Sequence, residues 1–267
     1  MASNMIAPKK SKKFSEIDRL IKSDDAVSET LDFVVIVGIL ILAFGIISVS
    51  GYPILKKAQE AKYIENTKQS FVLLADSVNK VAIGKAPSTS VEMKMYGGRL
   101  GITGNGEITI NATIYNSTKV PPGPEETVLV ESKLQGIENS IGDVVVAYEG
   151  TAVWTKYPDG VVNLNRPIIV NRSKVLIFPI VNIAGKSSVA GEGMSRIEVE
   201  GEPVVTPYSN VSNLNVSIMG DYTEGWKNYF ENELKWECVG QESVSCRLNE
   251  TNMNVYIVKI EMNANIE

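Results

Sequence analysis

The sequence predicts an α+β chain: a long N-terminal membrane and amphipathic helix, then a β-rich, sandwich-like domain with one late helix. Three observations carry this reading. An uncharged run of 23 residues extends from Phe33 to Leu55. A helical spacing of apolar residues follows it. Beyond Pro87 the apolar period changes from about 3.6 to 2.

The run FVVIVGILILAFGIISVSGYPIL is long enough, at about 1.5 Å per residue, to cover the roughly 30 Å hydrocarbon core of a bilayer. It also exceeds the roughly 7 to 15 residues of a cleaved signal peptide's apolar region, and the helical pattern continues past the small-residue site Ser48-Val49-Ser50. A retained membrane helix is therefore expected. Charge bias leaves its orientation undecided, with Lys13, Arg19 and Lys22 on one side and Lys56, Lys57, Lys62 and Lys68 on the other. The block Lys9, Lys10, Lys12 and Lys13 resembles the basic region of a targeting signal, and insertion with the N-terminus inside would agree with the sequons described below.

Ala61, Ile64, Phe71, Leu74, Val78 and Val81 recur mostly at steps of three and four, the stripe of an amphipathic helix. Gly84 and Pro87 stop it, so the helix is expected over residues 26–84, with residues 1–25 as a basic leader and residues 88–267 as the β-rich domain. Gly51 and Pro53 predict a kink at the membrane exit, because proline lacks a backbone donor and crowds the preceding turn.

Ile108, Ile110, Ala112 and Ile114 alternate with polar residues, as in a half-buried strand. Val128 to Leu134, Val144 to Val153, Val161 to Leu164, Ile168 to Val170, Val175 to Ile183, Ile197 to Val205 and Leu214 to Ile218 continue in this manner. Tyr157-Pro158-Asp159-Gly160 predicts the turn of a hairpin. Gly104-Asn105-Gly106 and Gly191-Glu192-Gly193 are also expected as hairpin turns, since neither opens a helix pattern that could cradle phosphate. Asp221 to Glu224 predicts a capped start for the late helix, with Trp226, Tyr229, Phe230 and Leu234 on one face; core packing is the preferred role of these aromatics over glycan binding. Ser243 to Arg247 is expected to pair with Met253 to Met262 as the last hairpin.

The chain has no histidine, which removes the commonest general base and transition-metal ligand. No catalytic constellation, metal cluster or cofactor motif emerges, and the carboxylates are expected to be solvated. A net charge of −5 with scattered signs offers nucleic acid no basic face. Cys238 and Cys246 leave two readings, a disulfide or two unpaired thiols; the polar, turn-like segment between them and an oxidising compartment favour the bridge. That compartment follows from six Asn-X-Ser/Thr sequons, at Asn111, Asn116, Asn171, Asn210, Asn215 and Asn249, all after the membrane run. If used, they place everything beyond that run outside the cell.

Asp25-Ala26-Val27-Ser28-Glu29-Thr30-Leu31 leading into the apolar run, Gly51-Tyr52-Pro53 at its end and the helix beyond resemble an archaeal type IV pilin-like protein with a class III signal peptide. The segments Val146 to Trp154, Gly191 to Gly193 and Tyr222 to Phe230 resemble those of largely uncharacterised archaeal secreted pilin-like proteins. The resemblance implies processing by a membrane prepilin peptidase at Asp24, Asp25 and Ala26, then assembly with copies of itself or related pilin subunits. Glu29 would match the acidic residue near the mature N-terminus, which pairs with a neighbouring subunit's free α-amino group. Ser23-Asp24-Asp25 departs from the family in lacking the basic residue or glycine that commonly precedes the cut.

Two functions are therefore expected. The first is a pilin or pilin-like filament subunit, membrane-inserted before assembly, with a glycosylated outer domain. Its helix would pack through Ile36, Gly38, Leu42 and Gly45. The second is a permanently anchored ectodomain that binds a glycan, S-layer or other ligand without polymerising. An enzyme ranks behind both.

Overall fold

The computed structural model describes residues 12–114, 126–185 and 187–267, with side chains from residue 30 onward. Helix α1 spans Lys12–Ala82, starting well ahead of the expected residue 26, and its helical assignment continues through Gly51 and Pro53. The chain divides into two compact units, Met1–Gln59 and Glu60–Glu267. A single β-rich unit therefore includes the last turns of α1.

Among the described residues twelve strands follow: β1 (Ser88–Ile114), β2 (Glu126–Ile141), β3 (Val144–Glu149), β4 (Ala152–Tyr157), β5 (Gly160–Asn165), β6 (Val170–Arg172), β7 (Val175–Ala184), β8 (Ser188–Glu200) and β9 (Val204–Met219), then helix α2 (Thr223–Asn232) and β10 (Glu237–Val239), β11 (Ser243–Leu248) and β12 (Met253–Ile266). They form one sheet in the order β10-β11-β9-β12-β8-β1-β2-β3-β4-β5, with β6 on β7 and β7 parallel to β12. β1 is long enough to pair with β8 and then with β9 along one edge, while β12 joins those same two strands. The pairings β1–β9–β12–β8–β1 thus close a circuit, and long strands carry side chains into both cores.

One core lies beneath α1. Phe71, Leu74, Ala75, Val78, Val81 and Ala82 are fully buried against Met93, Leu100, Ile137, Val146, Tyr148, Val153 and Ile183. Each large apolar side chain buried this way contributes roughly 1.5–3 kcal/mol. The other core gathers Trp154, Phe178, Val216 and Cys246 around Tyr222, Trp226, Tyr229 and Phe230 of the α2 region. Alternation along β3 and β4 sends Val146, Tyr148 and Val153 to the first core and Ala147, Ala152 and Trp154 to the second. β3 and β4 are thus covered on both faces, in keeping with the unbroken apolar stretch Val144 to Tyr148.

The stretch Val144 to Val153 is itself a hairpin. Gly150 and Thr151, with φ of 58° and 71°, fold β3 back on β4. The Tyr157 to Gly160 turn joins β4 to β5 as expected. Two other turn expectations are overturned: Gly104 to Gly106 forms a bulge inside β1, and Gly191 to Gly193 lies inside β8. Glycine at positive φ serves a bulge as readily as a turn, so the dipeptide pattern does not separate them. The stretch Ile197 to Val205 is split between the end of β8 and the start of β9. The last hairpin also differs, since β11 pairs with β9 and β10 while β12 pairs with β7, β8 and β9.

Helix α2 is present, but not through the expected cap. Tyr222 occupies the N-cap without a side-chain cap bond, and the Thr223 hydroxyl donates to the Gly220 carbonyl at 2.8 Å. Asp221 instead receives Lys156 Nζ at 2.6 Å.

Candidate assembly helix and a buried aromatic site

The first unit contains the segment with the clearest chemical demand. From Thr30 onward α1 includes an uncharged stretch long and apolar enough to cross a membrane, and none of its most apolar window is buried within the chain. Phe33, Ile36, Leu42 and Phe44 are each more than half exposed, at 67%, 58%, 64% and 67%. Gly38 and Gly45 have nothing within 4 Å of where a Cβ would stand, so both present bare backbone to an approaching helix. Such a surface requires lipid or another apolar helix. Asp24, Asp25 and Ala26, where the pilin resemblance implies processing, and Glu29 fall in the helical backbone of α1, and their side chains lie outside the described residues.

The sequons lie in the β-rich unit. Asn111 is on β1, Asn171 on β6, Asn210 and Asn215 on β9, and Asn249 in the exposed loop after β11; Asn116 lies outside the described residues. Asn111 and Asn215 stand directly opposite each other in the β1–β9 ladder. Their neighbours Ile110, Ala112, Leu214 and Val216 are buried, so both asparagines are on the sheet's outer face. Cys238 and Cys246 are opposite one another on β10 and β11 and form a disulfide. It ties the short edge strand β10 to the sheet.

The second unit contains a buried carboxyl. Glu149 is 3% exposed, and its Oε1 accepts the Trp226 indole N–H at 3.0 Å. Its backbone carbonyl accepts the Trp154 indole N–H at 3.1 Å, and the two indole rings are tilted together at 5.1 Å. Nearby, Tyr222 donates its hydroxyl to Glu138 Oε1 at 2.7 Å. Burial pushes the Glu149 carboxyl up to about 8; the Trp226 bond opposes this, and the Glu138 and Asp221 charges add to it. Burial also raises Glu138. The expectation of uniformly solvated carboxylates is therefore corrected at Glu149 and Glu138. The site is close-packed: a Cβ on Gly150 would collide with the Trp226 indole, and one on Gly225 would lie 2.7 Å from the Trp154 ring.

Residues 26–265 match the model of a family of unknown function, DUF7289. The chain belongs to that family. An uncharacterized protein of Archaeoglobus fulgidus is 23% identical to this DUF7289 chain, over 75% of the chain and 77% of the relative. No solved structure matches it.

The structure explains two of the segments that stood out in the DUF7289 sequence. Val146 to Trp154 is the β3–β4 hairpin bearing Glu149, and Tyr222 to Phe230 is the α2 segment bearing Trp226. They meet in the Glu149–Trp226 bond. Sequence reasoning missed the role of Glu149; its place between Tyr148 and Gly150, inside a run covered on both sides, was the available signal. Among the described residues, no group of three or more His, Cys, Asp or Glu side chains is arranged to hold a metal.

Proposed function

We propose that this DUF7289 chain is a pilin-like structural subunit of a type IV pilus-like surface filament. Residues 33–55 hold it in the membrane before assembly, and the same residues then pack against copies of the chain or related subunits. Residues 60–267 form the outer domain, on the extracellular side, with N-glycans on its sequons. The observation that carries this reading is the contrast along α1. Leu42 is 64% exposed and Phe44 67%, whereas Phe71 and Leu74 of the same helix are 0% exposed in the core of the β-rich unit. One helix thus joins a surface that must be covered from outside the chain to a domain with its own complete core.

Two further findings support the proposal. The family match begins at residue 26, just beyond the basic leader. The distant relative is archaeal, as the pilin resemblance implies. Removal of the leader by a prepilin peptidase would free an α-amino group close to Glu29, and pairing of that carboxylate with a neighbour's amino terminus would compensate both charges at the edge of an apolar bundle.

The test is the mass of the native protein released from cells by shearing. A polypeptide beginning at Asp25 or Ala26, plus glycan mass, supports a processed filament subunit. Native protein that keeps Lys9 to Lys13 and stays with the membrane is instead an anchored ectodomain.

A further inference from the structure

The seam between residues 60–82 of α1 and the sheet contains two polar groupings. In the first, Asn79 Oδ1 accepts the Tyr148 hydroxyl at 2.9 Å while its Nδ2 donates to the Thr151 carbonyl at 3.0 Å. The second is different. Thr67 Oγ1, Asn139 Nδ2 and Oδ1, and Thr155 Oγ1 are buried with no protein partner, and all three residues are 0% exposed.

All three belong to the seam on the α1-facing side of the sheet. Asn139 stands opposite Leu100 on one side and Val146 on the other, and Val146 stands opposite Thr155. Directly opposed residues share a sheet face, so Asn139, Val146 and Thr155 form one row across β2, β3 and β4. Leu100 and Val146 belong to the core beneath α1, which identifies the face. Thr67 lies one turn before Phe71 on the buried stripe of α1. Its neighbour Lys68 reaches the Tyr157 ring at 5.6 Å, and Tyr157 is two residues beyond Thr155 on the same face of β4. Two strand spacings separate Asn139 from Thr155 by about 10 Å across Val146, too far for a direct bond between side chains this short.

We propose that the α1–sheet seam contains a built internal solvent site, in which Thr67, Asn139 and Thr155 together hold ordered water above Val146. The row and Thr67 together supply an amide donor, an amide acceptor and two hydroxyls that do either, and none of these side chains is charged. That set suits a small neutral molecule that both donates and accepts, and two to four polar partners are what a buried water requires. The site also gives α1 a preferred register. Sliding the helix by one turn would bring an apolar side chain over Asn139 and part Asn79 from Tyr148, leaving buried polar groups unpaired in both places.

The test is a crystal structure of the full chain in detergent, at a resolution that shows individual waters. The site predicts a water peak above Val146 within hydrogen-bond distance of Asn139 and at least one of the two threonines. A dry seam, or side chains of the row bonded directly to one another, overturns the proposal. The paired isosteric variant Thr67→Val with Thr155→Val should retain the circular dichroism spectrum and lose the peak. A peak that persists unchanged in that variant rules out the three-residue site.

Discussion

Trp226 of α2 donates its indole N–H to Glu149 Oε1, at the end of β3, across 3.0 Å of the unit's interior. The bond fastens the late helix to the sheet through a carboxyl that burial keeps protonated at neutral pH. Its consequence is a pH dependence with a definite sign. The unfolded carboxyl titrates near 4.5 and the folded one near 8, so between these values the unfolded chain has released a proton that the native chain still holds. Raising the pH through that window therefore favours unfolding, and the stability conferred by protonated Glu149 is complete only below it. Glu138, also raised by burial, acts in the same direction. The unfolding temperature should fall from about pH 5 to pH 8 and then level off, and Glu149→Gln should flatten most of the slope. A variant with the wild-type slope would show that Glu149 does not cause it.

Tyr148→Phe removes the hydroxyl that Asn79 accepts and leaves a buried amide oxygen of α1 without its donor. A loss of about 1–3 kcal/mol is expected in denaturant unfolding, with little change in the m-value. Asn79→Ala should cost a similar amount, and the double variant should cost less than the two single losses added together. Strict additivity would mean that the two residues act separately.

Replacing Cys238 and Cys246 by alanine opens a loop of sequence separation 8. On the chain-entropy model the cost is about 2.5 kcal/mol. The native protein should resist iodoacetamide until it is reduced. Stoichiometric labelling of both thiols without reductant would refute the bridge in solution.

The coarse fold was legible because α1 and the strand at residues 108–114 have strong periods, residues 175–183 are a nearly unbroken apolar run, and Tyr157-Pro158-Asp159-Gly160 has few readings other than a turn. Residues 88–107 and the first half of β8 were not legible. Glycines interrupt their alternation, and Gly97, Gly98 and Gly104 fall at register shifts that only the partner strand defines. Pairing between distant segments was equally hidden: nothing local to Ser243 to Leu248 says that its partner is β9 rather than β12. The membrane run was read directly from its lack of charge. The Glu149 site required knowing that two segments more than 70 residues apart meet in one core. Adjacent residues gave no sign of the partner.

The core beneath α1 sets the smallest fragment expected to fold alone. A fragment starting at residue 88 lacks Phe71, Leu74, Val78 and Val81 and would open one entire core, whereas residues 60–267 retain both. That fragment is the folded reference against which assembly can be judged.

In the proposed filament the exposed apolar part of α1, and not the β-rich unit, would carry assembly. Leu42→Lys tests it most directly, because a lysine there places a charge, at a cost of roughly 3 kcal/mol or more in an apolar helix bundle, far in sequence from either β-unit core. Incorporation of the variant into sheared surface filaments, measured by immunoblot against wild type, should fall by more than tenfold while the near-ultraviolet circular dichroism of the β-rich unit is unchanged. Filaments containing Leu42→Lys subunits at wild-type levels would contradict the claim and assign assembly to residues 60–267.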